Sequence, residues 1–133
     1  MTNKKKVLII DDDEAVLDVM KEALLYEGFE VKTSDEAEDI TSLIDNYSPD
    51  LLLIDYILKG INGGEICHQV KVNPKTDKLP VIIVSAYPRV LTSLGYYGCD
   101  KFIPKPFDLS NLVGSINTVL NANEANAIPE HYF

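Results

Sequence analysis

Acidic, hydroxyl and cationic side chains follow short apolar runs at several places in this 133-residue chain. They are Asp11 to Asp13, Asp55, Ser85 and Lys105. Carboxylates that meet in a folded chain repel one another, by about 4 kcal/mol for two unit charges 4 Å apart at an effective dielectric constant of 20. Such a cluster is expected to hold a hard cation or to take up a proton. A few carboxylates, one backbone carbonyl and several waters form a ligand set that Mg²⁺ favours.

The same residue types suit the transfer of a phosphoryl group. A carboxylate beside Mg²⁺ can attack phosphorus and form an acyl phosphate. The oxygens of the transferred group then need positive charge and hydrogen-bond donors, which Lys105 and the Ser85 hydroxyl can supply.

Short apolar runs predict the strands that must carry these residues. Runs typical of strands buried on both faces occur at 7–10, 51–54 and 80–84. A more polar run at 29–33 indicates an edge strand, and 102–103 a short last strand.

Amphipathic segments between these runs predict helices. Asp13 and Asp108 are the expected N-caps of the first and last helices, and Asp13 is therefore interpreted as a cap rather than a metal ligand. Asp35 and Glu38 have capping-box spacing before the second helix. The pattern at 88–97 is weak and allows about two turns of a fourth helix.

Strand and helix alternate five times, which predicts an α/β fold with a parallel sheet and helices on both faces. In such sheets, ligands bind beyond the carboxyl ends of the strands, where the strand order reverses. The polar residues that follow the central strands should therefore converge, although they are far apart in the sequence.

With this set of residues at the strand ends, roughly residues 5–120 resemble the receiver domain of two-component response regulators. The resemblance rests on Asp11-Asp12, Asp55, Ser85 and Lys105-Pro106, in this order. It implies a flavodoxin-like, doubly wound five-stranded parallel sheet of order 2-1-3-4-5. It also implies that Asp55 accepts a phosphoryl group from the phosphohistidine of a histidine kinase or from a small phosphodonor. The domain would then promote its own aspartyl phosphorylation without being a turnover enzyme.

Further roles follow from the resemblance. It implies that Mg²⁺ is bound by Asp11, Asp12, Asp55 and the backbone carbonyl of Ile57. A phosphotransfer protein is an alternative donor, and an effector domain, a downstream protein or a second copy of the chain are the expected partners on the output side.

The resemblance also implies a conformational switch. Ser85 would move onto the phosphoryl group and Phe102 would repack, which changes the face around the fourth helix and the fifth strand. Ile57 and Tyr87 would flank the path of the water that hydrolyses the acyl phosphate. Neither is an acid or an amide that can orient this water, and Tyr87 is bulky, so we expect slow self-dephosphorylation.

Two segments depart from the family pattern. The loop after the third strand commonly reads Met-Pro-x-Met-Asp-Gly in receivers, but residues 58–63 here read LKGING. The missing proline and the added glycine should loosen this loop. The stretch from Ser85 to Phe102 is short, so the fourth helix is expected to be stunted or irregular.

Two other functions remain open from the sequence. A haloacid-dehalogenase-type phosphatase would use Asp11 as its nucleophile in an Asp-x-Asp motif, but Asp55 would then have no role. A receiver-like binding module would dock partners without phosphorylation, although such a module usually lacks one of the acid, hydroxyl or lysine groups present here.

Length and composition bound the remaining alternatives. The length suits one domain, and we expect a receiver domain at 1–120 and a tail or linker at 121–133. The formal net charge of −9 disfavours direct contact with nucleic acid or anionic membranes, and no apolar run approaches the length of a membrane span. Cys67 and Cys99 lack metal-ligand spacing and are interpreted as buried thiols of a cytoplasmic protein.

Overall fold

The computed structural model describes residues 4–37, 39–58, 61–86 and 98–126, and only the backbone of 123–126. Within these ranges lie β1 (Lys6–Ile10), α1 (Glu14–Tyr26), β2 (Glu30–Ser34), α2 (Ile40–Tyr47), β3 (Leu51–Asp55), α3 (Gly63–Val72), β4 (Val81–Ser85), β5 (Lys101–Pro104) and α4 (Leu109–Asn126). The fourth helix expected at 88–97 lies outside the described residues, and so does Tyr87.

The strands form one parallel sheet of order β2-β1-β3-β4-β5, which confirms the predicted flavodoxin-like fold. In β1, Val7 pairs with Val31 of β2 on one side and with Leu51 of β3 on the other. The chain runs from β1 to the edge strand β2 and then passes back over β1 to reach β3. The strand order therefore reverses beside β1 and β3, and the residues that follow these two strands meet there.

Helices cover both faces of the sheet, which explains why the central strands are apolar apart from one polar residue at an end of each. In β1, Val7 and Ile9 pack on the face covered by α1 and α4, whereas Leu8 and Ile10 pack on the face covered by α2 and α3. Successive strand side chains point to opposite faces, so each central strand contributes to both hydrophobic layers.

Local polar contacts set most of the predicted helix ends. The Asp13 carboxylate accepts hydrogen bonds from the backbone N–H groups of Ala15 and Val16, which confirms that Asp13 is the N-cap of α1. Asp108 accepts one from the N–H of Asn111 at the start of α4. Gly28, with a φ of 92°, follows α1 and allows the chain to turn back into β2.

The prediction for the start of α2 was wrong. The N-cap is Asp39, whose side chain accepts from the N–H of Ser42 at 3.2 Å, and the helix begins at Ile40. The Ser34 hydroxyl donates to the carbonyl of Glu36 and accepts from its N–H, so the chain at Asp35 is held in a turn.

The last helix is longer than the sequence period indicated. Its buried stripe ends at Leu120, but α4 continues to Asn126, into the segment expected to be a tail. Leu109, at the start of α4, is exposed, whereas Val119 is buried. Residues 121–126 read NANEAN and have no apolar period, so the sequence pattern did not predict this extension. Among the described helices, none is both long and apolar enough to cross a membrane.

Candidate functional site

The carboxyl end of β1 places Asp11 inside the protein. Asp11 is 1% exposed, and its backbone N–H donates to the carbonyl of Ser34 at 3.2 Å. Its Oδ1 accepts a hydrogen bond of 2.9 Å from the N–H of Asp13, the residue that caps α1. The cap of α1 and the orientation of the Asp11 carboxylate are therefore linked through one residue.

Asp55 is the last residue of β3 and is buried. The N–H of Tyr56 still donates to the carbonyl of Val84 at 2.8 Å, so the strand pairs with β4 just beyond Asp55. The N–H of Gly63 donates to the carbonyl of Tyr56 at 2.7 Å, which brings the start of α3 onto the end of β3. A β-carbon at Gly63 would collide with the backbone carbonyl of Asp55.

Gly63 is thus a site residue to which the sequence analysis gave no role. The available indication was its position directly after Asn62, which caps α3 by accepting from the N–H of Glu65 at 2.8 Å. The close approach to Asp55 itself depends on how α3 packs, and no local pattern encodes it.

The lysine that follows β5 faces the two buried aspartates. The Lys105 ammonium is 3.1 Å from Oδ1 of Asp55 and 3.3 Å from Oδ2 of Asp11. The backbone N–H of Lys105 donates to the carbonyl of Ser85 at 2.8 Å, so the ends of β4 and β5 stay in register. Lys105 lies between two prolines, and its bond to Pro106 is cis.

Three carboxylates form one cluster at this edge of the sheet. Asp11, Asp12 and Asp55 each offer an oxygen within 4.8 Å of those of the other two. Burial and the repulsion of Asp11 raise the pKa of Asp55 against the attraction of Lys105. Burial alone would lower the pKa of Lys105, but the Asp55 and Asp11 carboxylates outweigh it, so this pKa is raised.

This donor set fits a hard divalent cation. Three carboxylate oxygens close enough to share one ion are the ligand type that Mg²⁺ prefers, and the ammonium of Lys105 leaves the cluster with excess negative charge. Ile57, expected to contribute its backbone carbonyl, is two residues beyond Asp55 and has a side chain 48% exposed.

The expected switch residues lie on neighbouring strands. Ser85 ends β4 and is 1% exposed, at the same sheet edge as Asp55. Phe102 lies in β5, partly buried, and packs against the layer that α2 and α3 cover. Phe102 also lines a small cavity of about 250 Å³ with Pro104 and Phe107.

The structure brings Asp11, Asp12, Asp55, Lys105 and Ser85 to one edge of the sheet, as the spacing predicted. A model of the response regulator receiver domain family matches residues 7–117 of the chain. The chain belongs to this family. Receiver domains are signalling domains rather than typical turnover enzymes, so family membership favours a signalling function over that of a phosphatase.

Curated relatives of the receiver domain are response regulators. This chain is 34% identical over 131 residues to the nisin biosynthesis regulatory protein NisR of Lactococcus lactis subsp. lactis. It is 29% identical over 117 residues to the phosphate regulon transcriptional regulatory protein PhoB of Rhizobium meliloti strain 1021. The alignments cover 96% and 86% of this chain but 56% and 52% of the relatives. The chain therefore spans about half the length of the curated relatives it matches.

Solved structures show the same fold. The CheY-like response regulator receiver domain protein of Methanospirillum hungatei JF-1 matches with a TM-score of 0.86 and 29% identity. The match covers 94% of this chain and 100% of that one.

Proposed function

We propose that this receiver domain accepts a phosphoryl group on Asp55 from the phosphohistidine of a histidine kinase or a phosphotransfer protein. A carboxylate oxygen of Asp55 forms the bond to phosphorus, the phosphorus–nitrogen bond breaks, and the imidazole keeps the electron pair. The observation that carries the proposal is a buried carboxylate with an ammonium 3.1 Å from its Oδ1 and two further carboxylates within 4.8 Å.

Two side chains of this chain would stabilise the transferred group. The Lys105 ammonium, already beside Oδ1 of Asp55, neutralises charge on the phosphoryl oxygens. The Ser85 hydroxyl donates a hydrogen bond to one of them. Ser85 and Lys105 are joined through their backbones, so a shift at one is transmitted to the other.

The proposed cofactor is Mg²⁺, held by Asp11, Asp12, Asp55 and the backbone carbonyl of Ile57. When bound, it supplies positive charge that offsets the charge of the phosphoryl oxygens. The hydrogen bond from the N–H of Asp13 orients the Asp11 carboxylate before the ion binds.

Phosphorylation would be read out through Ser85 and Phe102. Movement of Ser85 onto the phosphoryl group shifts the end of β4. Phe102, on the paired strand β5, repacks in response. The alignments cover only 56% and 52% of the matched relatives, so we propose an attached effector domain or a separate downstream protein as the receiver of the signal.

We also propose that the acyl phosphate is long-lived. The partly exposed Ile57 lies close in sequence to Asp55 and offers a water molecule no acid or amide. Tyr87 is likewise neither an acid nor an amide, and the proposal gives its bulk the role of shielding the phosphorus atom.

The proposal is tested by incubating the protein with acetyl phosphate and Mg²⁺ and mapping the modified residue by mass spectrometry. We expect one phosphoryl group on Asp55, with no labelling of Asp55→Asn and normal labelling of Asp45→Asn. Asp45 is an exposed carboxylate in α2 and serves as the matched control.

Two results would replace this function by another. If no phosphodonor labels the protein and Mg²⁺ does not perturb its spectra, the domain is a binding module that works without phosphorylation. If the protein turns over a phosphate ester and Asp11→Asn abolishes this activity while Asp55→Asn does not, it is a phosphatase.

A further inference from the structure

Two cysteines that form no disulfide share one hydrophobic layer, away from the acidic cluster. Cys67 lies in α3 and is fully buried. Cys99, just before β5, is partly buried and packs against the same layer. The Cys99 thiol is near enough to Cys67 to raise the pKa of the Cys67 thiol, after the larger effect of burial.

Contacts of Lys71 hold the chain around Cys99 against α3. Lys71 is one helical turn after Cys67, and its ammonium is 2.8 Å from Oδ2 of Asp100. Gly98 lies beside the Lys71 side chain, since a β-carbon at Gly98 would be 3.5 Å from Cγ of Lys71. Asp100 Oδ2 also accepts a hydrogen bond of 2.7 Å from the first N–H of β4. The residues on both sides of Cys99 are therefore fixed against the helix that carries Cys67.

We propose that Cys67 and Cys99 form a modification site. A low-molecular-weight disulfide such as oxidised glutathione oxidises them to a reversible intramolecular disulfide. The Cys99 thiolate attacks one sulfur of the oxidant, its sulfur–sulfur bond breaks, and one glutathione leaves. The Cys67 thiolate then attacks the Cys99 sulfur and releases the second glutathione. The two protein thiols are oxidised, the oxidant is reduced to two thiols, and these take up the two protons.

The order of attack follows from exposure and acidity. Burial raises the pKa of Cys67 to about 12 and that of Cys99 to about 11, so Cys99 is both the more accessible thiol and the stronger acid. Both pKa values lie well above neutrality, so the closure is slow. The bond would join α3, whose start lies on Asp55, to the segment that leads through β5 to Lys105. It would thus tie together two elements that shape the acidic cluster.

The test uses the reduced chain, incubated with oxidised glutathione at pH 8 and analysed by intact mass and peptide mapping. We expect a species lighter by two hydrogens in which the Cys67 and Cys99 peptides are linked, and dithiothreitol should reverse it. The oxidised form should also melt at a higher temperature, because the link restricts the unfolded chain.

Single variants separate the two steps. Cys67→Ser should accumulate one glutathione on Cys99, whereas Cys99→Ser should leave Cys67 unmodified. The wild-type reaction decides the proposal even where a variant fails to fold. A wild-type chain that stops at the glutathione adduct, links only to a second chain, or stays unmodified while its denatured form reacts would overturn the proposal. The assay needs no phosphorylation, so its outcome is independent of the role of Asp55.

Discussion

Replacing Asp55 by asparagine should stabilise the metal-free protein while abolishing its phosphorylation. The substitution keeps the side-chain shape and the acceptor oxygen for Lys105, but it removes one of three mutually repelling carboxylates. At an effective dielectric constant of 20, each of the two neighbouring carboxylates, taken at 4.8 Å, repels Asp55 by about 3.5 kcal/mol, and Lys105 attracts it by about 5.4 kcal/mol at 3.1 Å.

These interactions leave a net repulsion of about 1.5 kcal/mol on the ionised Asp55 side chain. Burial of the charge acts in the same direction, and the raised pKa of Asp55 agrees with this sign. We therefore expect Asp55→Asn to raise the free energy of unfolding at pH 7 by about 1–2 kcal/mol. The corresponding increase in melting temperature is roughly 3–8 °C for a domain of this size.

Urea denaturation in a chelator measures this difference, with Asp45→Asn as the control. Asp45 is exposed, so its substitution should change the free energy of unfolding by less than about 0.5 kcal/mol. Added Mg²⁺ should reduce or reverse the advantage of Asp55→Asn, because the proposed metal site keeps all three carboxylates only in the wild-type protein. If Asp55→Asn loses stability in the chelator, the attraction between Lys105 and Asp55 outweighs the repulsion among the three carboxylates, which contradicts a net repulsion on Asp55.

Four further predictions test separate parts of the protein. Gly63→Ala should destabilise the protein by about 1–3 kcal/mol, because the new methyl group collides with the backbone carbonyl of Asp55. Gly114→Ala is the control: it has open space around it and should stabilise α4 by about 0.5–1 kcal/mol. Similar effects of the two substitutions in urea denaturation would contradict the close approach of Gly63 to Asp55. Lys105→Met should slow labelling by acetyl phosphate about 100-fold, and an unchanged rate would exclude the proposed role of its ammonium. Tyr87→Ala should speed the decay of the acyl phosphate, measured by loss of label, and an unaltered decay rate would end the shielding hypothesis. Burial raises the pKa of Cys67 to about 12, while an unfolded thiol ionises near pH 8.5. The free energy of unfolding should therefore fall between about pH 8.5 and 12, by up to about 1.4 kcal/mol per pH unit for this thiol, and Cys67→Ala should show a smaller slope in urea denaturation at stepped pH.

The strands and the site were accessible to sequence analysis for one reason. A strand buried on both faces must be apolar throughout, so the first polar residue after each run marks its carboxyl end. Asp11, Asp55 and Ser85 are read in this way, and all three lie at the predicted edge of the sheet.

The helix boundaries were less accessible, because several local signals compete over a few residues. Asp35 and Asp39 both precede the same apolar stripe, and the bonds of Ser34 hold Asp35 in a turn and leave Asp39 as the cap. The end of α4 has no signal of this kind, since residues 121–126, NANEAN, contain no apolar period that would mark them as helical.

The sequence by itself determined the alternation of elements, the parallel sheet and the set of polar residues at its carboxyl edge, because each of these follows from the period and position of side chains along the chain. Only the tertiary structure decided how these residues face one another. The distances from Lys105 to Asp55 and Asp11, the collision that keeps position 63 a glycine, and the layer shared by Cys67 and Cys99 all arise between elements far apart in the chain. Such contacts depend on how helices and strands pack in three dimensions, and no local pattern of residues specifies them.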